Sequence, residues 1–283
     1  MRRLIEILKI SRPGFWPTHV WFYVLPFATI NMFGSFKFWL GAFYVCFPMS
    51  LLLYGWNDIG DWKTDQDNPR KDSWLFGACP DQELRRMLPA LIVMVQLPFV
   101  LLFWYLAGFK MLILFAGLIF ANFAYNNLNF KSIAGIDLLN QSGYLLVFVL
   151  ASWLCDVPQL NWAAMLFGAL FAMQSHLFGQ IMDIEQDQSS GRRSTAIMLG
   201  SRNAKRLLAT IMSIEAMIAF SYFNGGYLGF FMLAGSLFFA ADSFIGPEKY
   251  PLSFIRVFFI GWNIVVATTI HFIWKYGMFL LAA

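Results

Sequence analysis

Two polar clusters in this chain carry carboxylates at helical spacing: Asn57-Asp58-Ile59-Gly60-Asp61-Trp62-Lys63-Thr64-Asp65 and Asp183-Ile184-Glu185-Gln186-Asp187. Written as helix, Asn57, Asp61 and Asp65 fall at i, i+4 and i+8, with Asp58 on a flanking track. Asp183 and Asp187 form an i, i+4 pair. Carboxylates stacked on one face repel one another unless a cation lies among them. A hard divalent cation held by such oxygens keeps open coordination positions that phosphate oxygens fill, as is usual for Mg²⁺. The spacing points to an Mg²⁺–diphosphate site.

The residues that follow each cluster support this. The first runs into Asn68-Pro69-Arg70-Lys71 and the second into Gly191-Arg192-Arg193-Ser194-Thr195, placing cations where a polyanion would need them. A solvated loop is the plain alternative for the first cluster, and a helix end with mildly repelling acids for the second. The two together are more specific than either alone.

Other polar residues are weaker candidates. His176, Gln180, Asp183 and Asp187 share one helical face, and His176 is expected to be a core histidine bonded to a neighbouring helix. Asn122, Tyr125, Asn126, Asn127 and Asn129 gather before Lys131 and Asp137. Such residues can simply satisfy backbone groups, but their density favours substrate contact. Arg12-Pro13 either snorkels towards lipid headgroups or points inwards to the diphosphate. His19 and His271 stand isolated and are given no role.

The elements that must position these groups are membrane helices. Hydrophobic residues make up 59% of the 283 and charged residues 13%, with a mean hydropathy of +0.61. A soluble domain is about a quarter charged, so a polytopic membrane protein is expected and soluble classes are excluded. The 32 phenylalanines and 11 tryptophans exceed what interfacial belts need and leave aromatics to line an apolar cavity. Cys46, Cys79 and Cys155 match no metal or redox spacing and are read as packing residues. No cleavable signal is expected at Met1-Arg2-Arg3.

Nine hydrophobic segments can be drawn, at 14–33, 38–56, 87–107, 110–126, 136–155, 161–179, 207–224, 226–242 and 256–274. With the N-terminus in the cytoplasm, seventeen Lys and Arg residues fall inside and only Lys37, Lys110 and Lys275 outside. That imbalance predicts nine spans. The aspartate clusters follow the second and sixth, so both emerge on the cytoplasmic face, as one shared site requires. The two long connections, 57–86 and 180–206, are expected to form a small cytoplasmic cap. Pro80-Asp81-Gln82-Glu83 should start a helix that continues into the third span. The arrangement reads as an all-α protein of two four-helix halves plus a ninth helix, one domain over residues 1–283.

At these residues the chain resembles the UbiA superfamily of membrane prenyltransferases, whose members carry Asn-Asp-x-x-Asp-x-x-x-Asp after the second helix and Asp-x-x-x-Asp after the sixth. Here those stand as Asn57–Asp65 and Asp183–Asp187. The likeness extends to Arg12-Pro13, Tyr125, Lys131, Asp137 and Leu199-Gly200. Tyr54-Gly55-Trp56-Asn57-Asp58 with Asp65-Gln66-Asp67-Asn68-Pro69-Arg70-Lys71, Phe130-Lys131 and Gly135-Ile136-Asp137 are most similar to the lycopene elongase branch. Members of that branch add a five-carbon unit to the end of a carotenoid. Leu128-Asn129 stands where the superfamily has a proline-rich turn, and Asp72–Phe76 is bulkier than the branch's glycine-rich stretch.

The resemblance implies Mg²⁺-dependent prenyl transfer to a hydrophobic acceptor such as lycopene. Asp61, Asp65, Asp183 and Asp187, helped by Asn57 and Asp58, would be the metal ligands. Arg70, Lys71, Arg193 and Lys131 would neutralise the leaving diphosphate, and Tyr125 would contact substrate. Expected partners are a prenyl diphosphate, a lipid-soluble acceptor and membrane lipids, with no nucleic acid among them. A terpene cyclase on the same scaffold remains open. A cation transporter is disfavoured, since it needs acids at mid-membrane depth in several spans and Glu215 and Asp242 are the only candidates outside the clusters.

Overall fold

The computed structural model describes residues 2–66, 68–223, 226–277 and Phe279, without the side chains of Arg2, Lys63 and Thr64. Asp67, one of the motif residues above, lies outside them. Among the described residues the regular secondary structure is helical, with isolated bridging such as that between Ser73 and Gly77. Ten principal helices follow in order: α1 (Arg2–Ile10), α2 (Trp16–Val24), α3 (Phe36–Gly60), α4 (Gln82–Ala107), α5 (Lys110–Asn126), α6 (Ile136–Cys155), α7 (Trp162–Met182), α8 (Thr195–Tyr222), α9 (Gly226–Ile245) and α10 (Leu252–Tyr276).

Each of the nine hydrophobic segments overlaps one of α2–α10, but among the described residues only six helices are long and apolar enough to cross a bilayer: α3, α4, α6, α7, α9 and α10. The other three differ for local reasons. Pro13 and Pro26 open 3₁₀ turns at either end of α2 and leave it nine residues long. The segment drawn at 14–33 therefore ends early, at Phe27. Helix α5 has 17 residues. Helix α8 breaks at Gly200, whose φ of 73° only glycine adopts without strain, and its first half carries Arg202, Lys205 and Arg206.

The start of α4 lies where the sequence placed it: Asp81 accepts a hydrogen bond from Leu84 N at 2.8 Å, a side-chain cap. Arg3 of the amphipathic α1 reaches Asp81 at 2.8 Å, and Ile10 packs with Leu51, Leu84 and Leu88. Helix α1 thus lies across the ends of α3 and α4. The main core runs between the long helices, with Trp21, Phe22, Phe148, Phe167 and Phe171 at its centre. The outer faces of α4 and α9 instead expose Val93, Met94, Tyr105, Phe230 and Leu237. A contiguous apolar exterior of this kind suits hydrocarbon, not water.

Helix α3 is irregular just before the first aspartate cluster. Pro48 interrupts its hydrogen bonding, and Leu51–Gly55 forms a π-helical turn whose wider bonds present Tyr54 to the interior.

Candidate functional site

Both aspartate clusters are bent, not straight. Asp61 (φ −92°, ψ 7°) separates α3 from a short helix, Trp62–Asp65. Asp183 (φ −109°, ψ 9°) separates α7 from another, Ile184–Ser189. The i, i+4 backbone links survive the bends: Asp61 N donates to Asn57 O at 3.0 Å, Asp65 N to Asp61 O at 2.9 Å and Asp187 N to Asp183 O at 2.9 Å. The continuous helical faces expected from the spacing are therefore each folded at an aspartate. The bends turn Asn57, Asp61, Asp65, Asp183 and Asp187 into one cavity of about 540 Å³. Asp58 does not line it. It lies fully buried beside it, 2.9 Å from Arg12 Nη2 and 2.9 Å from Lys71 Nζ.

The carboxylates are neutralised by side-chain cations. Lys131 Nζ lies 2.6 Å from Asp61 Oδ1, and Lys71 Nζ lies 2.7 Å from Asp65 Oδ2. Arg70 pairs with Asp183, joining the first connection to the second. Arg192 Nη1 lies 2.7 Å from Asp187 Oδ1, and its other Nη pairs with Asp61. Arg70, Lys71 and Lys131 thus face the cavity as the sequence suggested, while Arg193 is exposed and its neighbour Arg192 takes the inner position. The cause is the turn at Gly191 (φ 76°), after which Arg192 N donates to Asp187 O at 3.1 Å and folds back over its own helix. Arg12 resolves inwards: its guanidinium bonds Asp58 and lies 4.5 Å from the Tyr54 ring centroid.

Burial pushes the Asp61 carboxyl up, but Arg192 and Lys131 outweigh it and hold the group below the usual carboxylate range. Burial dominates at Asp65 and raises it despite Lys71. At Asp187 burial, opposed by Arg192 but reinforced by Asp183 and Asp61, lifts the carboxyl to about 6. Among the described residues no three His, Cys, Asp or Glu side chains form a ready-made metal cage. Yet Asn57 Oδ1 and Asp58 Oδ2 are buried with no hydrogen-bond partner, and the available donors are all oxygen. That donor set fits a hard cation such as Mg²⁺.

Away from this charged pole the cavity is aromatic. Phe15, Phe22, Phe259 and Trp262 line it, as do Phe231, Phe238 and Phe258. Tyr125 lines it too, its hydroxyl 3.4 Å from His176 Nε2, so His176 is both a packed histidine and part of the wall. The other polar residues near Tyr125 bond to their surroundings, and Asn122 among them also lines the cavity. Asn122 donates to Leu52 O at 3.2 Å, and Asn126 accepts from Lys131 at 3.3 Å. Trp56 Nε1 donates to Asn127 at 3.0 Å. Asp137, fully buried, accepts from Gln180 Nε2 at 2.6 Å and from Thr195 N at 2.7 Å, pinning α6, α7 and the start of α8 together.

One cluster has no signal in the sequence. His19 is not isolated: it lines the cavity, with Nδ1 2.8 Å from Ser50 Oγ and Nε2 3.3 Å from the Tyr54 hydroxyl. Tyr54 in turn lies 3.4 Å from the Tyr144 hydroxyl. These residues come from α2, α3 and α6, and no local spacing could have joined them.

Comparison with known proteins gives concordant findings. The model of the UbiA prenyltransferase family matches residues 15–248. A lycopene elongase/hydratase of Corynebacterium glutamicum is 24% identical over 233 residues, covering 81% of each chain. One from Haloferax volcanii is 29% identical over 218 residues, covering 71% of this chain and 67% of that protein. The fold resembles a UbiA homolog from Archaeoglobus fulgidus bound to DMAPP and Mg²⁺. Its TM-score is 0.68 at 16% identity, over 96% of this chain and 99% of that one.

Proposed function

Because the chain belongs to the UbiA prenyltransferase family of membrane enzymes, we propose that it moves a five-carbon isoprenyl group from dimethylallyl diphosphate to the end of a carotenoid such as lycopene. The observation that carries this reading is the cavity itself. A charged pole built from both aspartate clusters opens directly into an aromatic chamber. The Corynebacterium and Haloferax lycopene elongase/hydratases suggest the acceptor class.

Asn57, Asp61, Asp65, Asp183 and Asp187 would hold Mg²⁺, with Asp58 supporting them from below. Held there, the metal would supply positive charge to stabilise the leaving diphosphate. Lys131, Arg192, Arg70 and Lys71, which now neutralise the aspartates, are within reach to turn part of their charge towards the diphosphate. Cleavage of the allylic C–O bond leaves a carbocation among Phe15, Phe22, Tyr54 and Phe259. The faces of those rings attract it, and the apolar wall excludes water. The terminal double bond of the acceptor then attacks.

The full set α2–α10 is read as nine crossings, with the N-terminus and the charged pole on the cytoplasmic side of the cell membrane and the acceptor entering from lipid. The charge tally supports that orientation. The test is incubation of the purified protein with dimethylallyl diphosphate, Mg²⁺ and lycopene, followed by mass analysis. Products five or ten carbons heavier are expected. A cyclised hydrocarbon formed from a prenyl diphosphate with no acceptor would overturn the transfer reading.

A further inference from the structure

Resting on this reading, we propose that His19 is the base that ends the reaction, taking, through the Tyr54 hydroxyl, the proton released when the product cation is discharged. Attack by an alkene on an allylic cation does not finish the chemistry. The acceptor's π pair forms the new C–C bond while the donor's C–O pair leaves with the diphosphate. Positive charge then sits on the acceptor's tertiary carbon. It is discharged when a neighbouring C–H bond breaks, its electron pair becoming the new double bond, and the proton must go to a base within the apolar chamber.

The aspartates are poor candidates for that base. Each is committed to a cation at the charged pole. His19, by contrast, faces the chamber, and its hydrogen bonds fix its tautomer. Ser50 spends its one hydroxyl proton on Val45 O at 3.1 Å. The 2.8 Å contact between Ser50 Oγ and His19 Nδ1 therefore needs the proton on Nδ1. Nε2 is left with its lone pair, and Tyr54 is the donor facing it at 3.3 Å. Tyr54 then accepts from Tyr144 at 3.4 Å. Every donor in the chain Tyr144–Tyr54–His19–Ser50–Val45 points the same way, towards the carbonyl.

Position agrees with this role. Arg12 covers the Tyr54 ring, and Phe15 lies 5.5 Å from it, centroid to centroid. The ring thus stands where the charged pole meets the aromatic chamber, with its hydroxyl turned to His19 and Tyr144. As Tyr54 takes the proton from the substrate it passes its own to Nε2, and the imidazolium returns it to water once the chamber empties. Capture of the cation by water would release its proton to the same base.

The test uses the purified full-length protein with dimethylallyl diphosphate, Mg²⁺ and lycopene. His19→Ala should lower kcat about 10²-fold, while Mg²⁺-dependent thermal stabilisation by dimethylallyl diphosphate stays as in the wild type. Added imidazole should restore turnover, 4-methylimidazole should do so better, and pyrazole, which has a similar shape but is hardly basic, should not. Tyr54→Phe keeps the ring beneath Arg12 and removes only the hydroxyl; it should cut kcat at least about tenfold without changing donor stabilisation. Unimpaired turnover in both variants overturns the proposal. So does rescue by pyrazole equal to that by imidazole, or loss of donor stabilisation together with activity. A wild-type protein that leaves lycopene unchanged overturns the acceptor reading and this inference with it.

Discussion

The ammonium of Lys131 lies 2.6 Å from the Asp61 carboxylate although seventy residues separate them in the chain. With Arg192 on the same carboxylate, Asp61 is already neutralised before any metal or substrate arrives. Asp61→Ala should therefore abolish turnover and also destabilise the metal-free protein. It strands the buried Lys131 and leaves Arg192 with Asp187 alone, and breaking such a buried pair costs about 3 kcal/mol. Denaturant unfolding without metal checks the second half. Relief of repulsion among the acids would give the opposite sign.

Mg²⁺ alone should stabilise the protein little, because lysines and arginines hold the oxygens it would use. Mg²⁺ with dimethylallyl diphosphate should stabilise it by about 2.7 kcal/mol at ~100 times Kd. The diphosphate without metal should do much less. Thermal melts with and without EDTA compare the three conditions, and an equal shift in EDTA would rule out a metal-bridged pose.

Asp187, raised to about 6 in the fold, binds its proton more tightly there than in the unfolded chain. Its contribution to stability is thus fully present below the ordinary carboxylate range and is lost as pH rises to about 6. Asp65 acts in the same direction. In Asp187→Asn the metal-free stability should fall less across that window. An unchanged pH slope would show that the carboxyl does not titrate there.

Asp137→Ala should cost about 3 kcal/mol or more, since it orphans the buried donors of Gln180 and Thr195. The variant should lose stability whether or not ligands are present. Loss of activity with full stability would make Asp137 a substrate group instead of a clamp.

Gln66 and Ser189 are exposed on the two connections. With Cys46, Cys79 and Cys155 replaced, cysteine at either position should react with a membrane-impermeant thiol reagent only after cells are opened. Labelling of one position but not the other in intact cells would put the two clusters on opposite sides and exclude a shared site.

Sequence reading succeeded where cause and effect lie within one helical turn. The spacing of Asn57, Asp61 and Asp65, the cap at Asp81 and the Arg70-Lys71 pair are local facts, and their consequences are local. It failed where the backbone leaves the ideal path. A helical wheel cannot anticipate the bends at Asp61 and Asp183, and the turn at Gly191 exchanged Arg193 for Arg192. Helix length was hidden for the same reason, because α2 and the first half of α8 are set by proline, glycine and charge as much as by hydropathy. His19 was invisible because its partners come from three helices, and only packing brings them together.

The π-helical turn at Leu51–Gly55 also limits how this chain can change its length. A π turn spends one more residue per loop of backbone than an α turn does. Deleting any one of those five would let α3 close as ordinary helix and leave Asn57, Asp58 and Asp61 close to their present orientation, because the residue lost is the one the wide turn takes up. A residue inserted there would find that slack already used and would rotate the three together by about 100°. Point substitutions in Leu51–Gly55 cost packing; an insertion costs phase. The aspartate motif keeps its register because one surplus residue is absorbed just upstream of it, as a slack loop takes up rope.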